Sequence, residues 1–291
     1  MSTIMSYPDR TLLATLSGGS WNSAYPLGNI QDDQLSVKAR STNALTTSTI
    51  ILIDLGSTAR AIRCLGLLSH TISYAGTIRV RGYSDNGYTT LVTDADTGTV
   101  YAYDQTLGSE MSTNYPDHWI YAFSSAKTAR YWKIEITDTT NAAGFVELGR
   151  VWLGEGTLAP TVSIAYGTSL GYESRDVVVE SIGGAIWGDS KASRRVIGGT
   201  FEALTGEEQR TALIMQKTLG KTGELLFILN SENTAIDMQL QSFPATMRNV
   251  NLLEFSYFQN SSNSIDFVEI LNNNNVEYIM GGGASDVYAR Q

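Results

Sequence analysis

The chain has 291 residues, enough for about two domains of ordinary size or one large β domain. Hydrophobic residues make up 42% and charged residues 17%, which permits a packed core and excludes a disordered chain. Lys+Arg number 20 against 29 Asp+Glu, a formal net charge of -9 that argues against nucleic-acid binding through a basic field.

From the N-terminus, Met1 to Ala14 lacks a charged stretch followed by a long apolar one, so no secretory leader is predicted. No apolar run approaches the roughly 20 residues of a membrane span, so no membrane insertion is expected. Residues 1–20 read as an N-terminal segment. Ile50 to Leu55, closed by Gly56, reads as a buried strand. Ile78 to Tyr83 alternates with period two, and Tyr131 to Thr137 does so with Trp132, Ile134 and Ile136 inward. Phe145 to Gly154 reads as one further strand. Between them lie turn-rich stretches such as Ser84-Asp85-Asn86-Gly87 and Asp94 to Gly98. Gly154 to Pro160, with two glycines and a proline, reads as a linker, and divides residues 21–156 from 157–271.

The second half is mostly strand and holds one predicted helix at about 205–219. Thr205-Gly206-Glu207-Glu208 matches a capping box, Ala212, Met215 and Leu219 follow at helical spacing, and Gly220 is a natural stop. Glu224 to Leu229, Ala235 to Gln241, Val250 to Phe258 and Ile265 to Leu271 read as strands, and the Asn/Gly-rich residues 272–291 as a polar tail. The predicted class is all-β: an N-terminal jelly-roll sandwich, then a second β-sandwich or barrel domain with one short helix.

Chemistry-bearing residues are few. A single cysteine, Cys64, excludes an intramolecular disulfide framework and a cysteine-rich zinc site, and reads as a small buried hydrophobe. Of the two histidines, His70 reads as structural, whereas His118 sits beside Trp119 in a predicted polar and aromatic loop, Tyr115 to Trp119. Tyr and Trp together outnumber Phe, so most rings carry a polar edge suited to wet contacts. Tyr83, Tyr88, His118 and Trp119 are therefore the candidates for stacking on a sugar. Asp94 with Asp96, and the adjacent pair Asp32 and Asp33, could each supply hard oxygen ligands to calcium; Asp32 and Asp33 are kept as the candidate for a structural calcium, and no other cofactor is expected. No nucleophile elbow or phosphate-binding loop is present, and no catalytic residue is predicted.

The first domain resembles the discoidin, or coagulation-factor-5/8 C-type, jelly roll, a fold shared with many carbohydrate-binding modules. The resemblance rests on Trp21-Asn22 leading to Ala39-Arg40-Ser41, Ile51 to Gly56, Ile78 to Tyr83 with Ser84-Asp85-Asn86-Gly87, Ala129 to Ile134, and Val146 to Gly154. It implies a binding or adhesive module and transfers no ligand residue. The second domain is similar to the β domains of bacteriophage tail-tube and distal-tail proteins, through Arg194-Arg195, Phe201 to Leu204, the capped helix, Leu225 to Leu229 and Ile265 to Leu271. Together these resemblances imply a non-enzymatic tail-tip or baseplate component of a tailed phage, located in the virion. Its partners would be copies of itself in a ring, other tail proteins and host-surface carbohydrate, without nucleic acid. A free lectin-like protein is the alternative, and a polysaccharide-acting enzyme the third reading.

Overall fold

The computed structural model describes residues 2–106, 108, 117–184, 186–257 and 260–271. The polar tail predicted at 272–291, and Tyr115 and Pro116 of the predicted aromatic loop, lie outside the described residues. The protein is all-β in class, and two α-helices interrupt the strands among the described residues.

The jelly roll is built from two facing antiparallel sheets. In chain order its strands are β2 (Thr15–Ser17, following β1 at Ile4–Ser6), β3 (Ala39–Arg40), β4 (Ile51–Asp54), β5 (Arg60–Leu68), β6 (Thr77–Tyr83), β7 (Leu91–Asp96), β8 (Val100–Tyr101), β9 (His118–Ala129), β10 (Tyr131–Thr137), β11 (Glu147–Leu148) and β12 (Arg150–Gly154). One sheet runs β2-β4-β10-β6-β7 with β8 on β6; the other is β12-β5-β9, and β3 and β11 form a separate pair. Strand period puts Ile51 and Ile53, Ile78 and Val80, and Trp132, Ile134 and Ile136 on one buried face, all at 1% exposure or less. They meet Leu65, Leu67, Trp119, Phe123, Val151 and Leu153 of the other sheet in a single core. Gly82 makes room for that core: a Cβ there would sit 2.9 Å from Ala129 and 3.1 Å from the Trp132 ring.

The second domain is built on one seven-stranded antiparallel sheet. Its strands are β13 (Ser169–Glu173), β16 (Arg194–Leu204), β17 (Glu224–Ile228), β18 (Phe243–Met247), β19 (Leu253–Tyr257) and β20 (Asn260–Glu269), in the order β1-β17-β18-β20-β16-β13 with β19 also on β20. A separate hairpin pairs β14 (Val177–Glu180) with β15 (Ile186–Asp189). Helix α1 (Gly206–Leu219) has the predicted reciprocal capping box, and Ala212, Met215 and Leu219 pack on Phe201, Phe227, Phe243 and Phe267.

Ile4, Met5 and Ser6 of β1 pair with Ile228, Phe227 and Leu226, so residues near the N-terminus form the edge of the second sheet and the jelly roll is inserted after them. Leu225 and Phe227 face helix α1, while Leu226 and Ile228 face Cys64, Leu68, Ile120 and Trp152 on the outer side of the jelly roll's smaller sheet. Both faces of β17 are covered, which explains its unbroken apolar run.

Several elements differ from expectation. Ala235–Gln241 is helix α2, not a strand: Thr234 accepts the backbone N–H of Asp237 at its N-terminus, and Met238 and Gln239 turn inward. Phe145 to Gly154 splits into β11 and β12 because the chain must change sheets at Gly149. A Cβ there would meet the Leu35 carbonyl oxygen at 2.5 Å. Asp94 and Asp96 lie in β7, and Asp96 forms a two-pronged bond with Arg79. The expected linker is held rather than free: Leu158 is buried and exchanges two backbone hydrogen bonds with Met5, at 2.8 and 3.1 Å, and the Thr157 hydroxyl donates to the Tyr7 carbonyl.

Candidate functional site

The six residues singled out by sequence fall in four places. Tyr83 is 4% exposed, with its ring edge-to-face against Tyr88, which in turn meets Tyr131 edge-to-face at 6.0 Å. Tyr88 is half-buried at φ 54°, and partial burial beside Asp54 pushes its hydroxyl up to about 12. Arg130 covers Tyr131 at 4.7 Å and grips Asp54 through two bonds, holding that carboxyl below its ordinary range. The trio thus closes one end of the larger sheet, with Tyr88 and Tyr131 half-buried and Tyr83 enclosed.

His118 and Trp119 open strand β9 instead of lying in a loop, and both are buried, on opposite faces of the strand. Trp119 is stacked on Tyr121 at 5.9 Å within the sandwich core. The Nδ1 of His118 accepts the Ser69 backbone N–H, which places the ring proton on Nε2, 3.7 Å from Glu269 Oε1. Burial raises the Glu269 carboxyl, but the bond from His118 and the charge of Arg195 outweigh it and hold the group down to about 2. Trp119 is 6% exposed, and Tyr121 covers one face of its ring. Asp32 and Asp33 are exposed in a turn where Asp32 accepts the Gln34 backbone N–H at 2.8 Å. Among the described residues no group of three His, Cys, Asp or Glu could hold a metal ion.

Burial disposes of the two other reactive side chains. The Cys64 thiol is fully enclosed and pushed up to about 12 by loss of solvent. His70 is enclosed too: its Nδ1 accepts the Ile72 backbone N–H, and desolvation pulls it down to about 4.

An open site forms elsewhere, from residues that sequence reasoning did not single out. Strands β3 and β11 set Arg40 opposite Glu147, whose carboxylate receives the Arg40 Nε and Nη2 at 2.7 and 2.6 Å. Backbone bonds from Arg40 N–H to Tyr25 O and from Asn22 N–H to Arg40 O fold the Tyr25 turn over the guanidinium. Arg40 therefore rests against two rings, Tyr25 at 4.4 Å and Phe145 at 4.3 Å. Lys38 lies 4.0 Å from the second Glu147 oxygen. Tyr25 is 41% exposed and the Arg40 side chain 31%, so a ring and an arginine fork reach solvent side by side over the mostly buried Glu147 carboxylate. Two N–H groups of the five-donor fork are committed to Glu147; the others have no partner among the described residues. Ring faces suit the C–H face of a sugar, and the flanking charged groups suit its hydroxyls.

No protein-family model matches the chain, and no curated protein does. Among solved structures it is similar to the family 32 carbohydrate-binding module of NanJ from C. perfringens, in complex with galactose. The identity is 18% over 53% of this chain and 98% of that module, with a TM-score of 0.36. It is also similar to CBM32-1 from a family 31 glycoside hydrolase of Clostridium perfringens (15% identity, 51% and 99% of the two chains, TM-score 0.35). The family 32 module of AlyQ, in complex with 4,5-unsaturated mannuronic acid, gives 21% identity, 51% and 97% coverage and a TM-score of 0.34. At these TM-scores the jelly-roll assignment stands on the strand order and core of the chain itself.

Proposed function

We propose that the protein is a non-catalytic carbohydrate-binding component of a larger assembly, the tail tip or baseplate of a tailed phage. The observation that carries the binding role is the open Arg40 platform between Tyr25 and Phe145, backed by Glu147. The non-catalytic reading draws support from the enclosed histidines and from a cysteine whose thiol stays protonated. Galactose, the ligand in the NanJ module's complex, is the first probe. Arg40→Ala, at a residue only partly buried, should weaken galactose binding roughly tenfold or more in titration calorimetry, the scale of one good polar contact. Galactose affinity unchanged in that variant would remove the platform from the binding site.

Assembly is favoured by a specific surface. The β14–β15 hairpin exposes Val177, Val178 and Val179 at 47%, 65% and 58%, with Trp187 at 68%. Exposed apolar groups on an isolated two-stranded ribbon are costly in water, and such ribbons gain stability by pairing or packing further. Several copies held together would also raise the avidity of weak sugar contacts. The full chain should sediment as a multimer, and Val178→Lys with Trp187→Ser should shift it to single chains. A wild-type chain that binds sugar yet sediments singly at every concentration is instead the free adhesive protein.

A further inference from the structure

A cleft of about 230 Å³ lies where the jelly roll meets the second domain, and it shares no residue with the Arg40 platform. Its jelly-roll wall is formed by β8 and the start of β9, including Tyr101, His118, Trp119 and Tyr121; its other wall comes from Ser231, Asn233 and helix α2. None of the lining residues is Asp, Glu, Lys or Arg. The walls are fixed from behind. Ile236 packs into the jelly-roll core and Met238 into the core shared by the two domains. The Asp104 carboxylate accepts the Ile236 backbone N–H, and Arg195 donates to the carbonyls of Gln239, Leu240 and Ser242. Tyr101, 52% exposed, stands at the mouth.

We infer that this interdomain cleft is a second binding site, for a neutral, polyhydroxylated ligand of about one sugar ring. Size and chemistry argue together. The volume falls below the roughly 300–1,000 Å³ typical of drug-sized ligands, which suits a single ring. Apolar and aromatic groups line it beside amides and hydroxyls, with no carboxylate, ammonium or guanidinium to pair with an ionic ligand, and the Nε2 of His118 is turned toward Glu269. The ligand class rests on the reading of the protein as a sugar binder; the site itself does not use the platform.

The test uses the full chain and galactose, glucose and N-acetylglucosamine as probes, with binding followed by calorimetry and ligand-observed saturation-transfer NMR. Ala235 is exposed, so Ala235→Trp should fill the cleft without disturbing the core; Tyr101→Ala removes the ring at its mouth. At least one probe should bind at two sites, with Ala235→Trp removing one and Tyr101→Ala weakening the same one roughly tenfold, while Arg40→Ala removes only the other. Binding lost in Arg40→Ala but untouched in Ala235→Trp overturns the cleft and leaves the platform standing. Binding lost in Ala235→Trp and untouched in Arg40→Ala upholds the cleft and overturns the platform. If no probe binds the wild type, the cleft assignment is wrong together with the reading it rests on.

Discussion

Arg195→Ala is expected to lower the unfolding free energy by about 3–5 kcal/mol, the usual cost of stranding the partner of a buried ion pair. Arg195 is 1% exposed, its guanidinium pairs with the Glu269 carboxylate, and its Nη1 serves three carbonyls at the end of helix α2. Without it, Glu269 would remain buried with only the residue-195 backbone N–H, at 2.8 Å, and His118 Nε2, at 3.7 Å, as polar contacts among the described residues. Arg195→Lys keeps the charge but lacks the fork, so it should recover part of the loss. The same pair sets an acid dependence. Glu269 is held at about 2 in the folded protein, below its ordinary 4.5. A depressed carboxyl contributes stability that is fully present above about pH 4.5 and is lost as pH falls toward 2. Urea unfolding should therefore show a steeper loss between those values in the wild type than in Arg195→Ala. A loss under about 1 kcal/mol in the alanine variant, with an unchanged acid profile, would show that the pair contributes little.

Trp132→Ala should cost about 3–5 kcal/mol, as large aromatic truncations in closed cores do. The strand that carries Trp132, β10, is hydrogen-bonded on both sides, to β4 and to β6, and the ring is 0% exposed against Gly82 and Phe123. The neighbouring Lys133 points to the opposite face, so Lys133→Ala should stay within about 0.5 kcal/mol. Denaturant titration of the two variants checks the register directly. Equal effects at the two positions would mean that the strand's faces are misassigned, since a one-residue slip exchanges them.

Much of the local structure was legible without coordinates. Period-two alternation identified the buried faces of β6 and β10, because one covered face leaves an unambiguous pattern. The reciprocal contact of Thr205 and Glu208 needs only four consecutive residues, so the start of helix α1 was equally plain. Burial of Cys64 followed from its apolar neighbours. Where local signals conflicted, prediction failed: Ala235–Gln241 is too short for its period to decide, and its Thr234-to-Asp237 cap, the available signal, was outweighed by the apolar residues.

The sites were another matter. His118 and Trp119 look like a ligand loop until β9 pairs with β5 from its first residue and buries them on opposite faces. The Arg40 platform joins Tyr25, Arg40 and Phe145 through strand pairing between distant segments, and none of the three is unusual in its own neighbourhood. The interdomain cleft exists only because helix α2 docks beside β9. Chain composition and short-range periodicity determined which segments are strands and which faces they bury, since those depend on neighbouring residues. Tertiary structure alone decided which side chains share a surface, because pairing across long separations is chosen by packing of the whole chain and leaves no local trace.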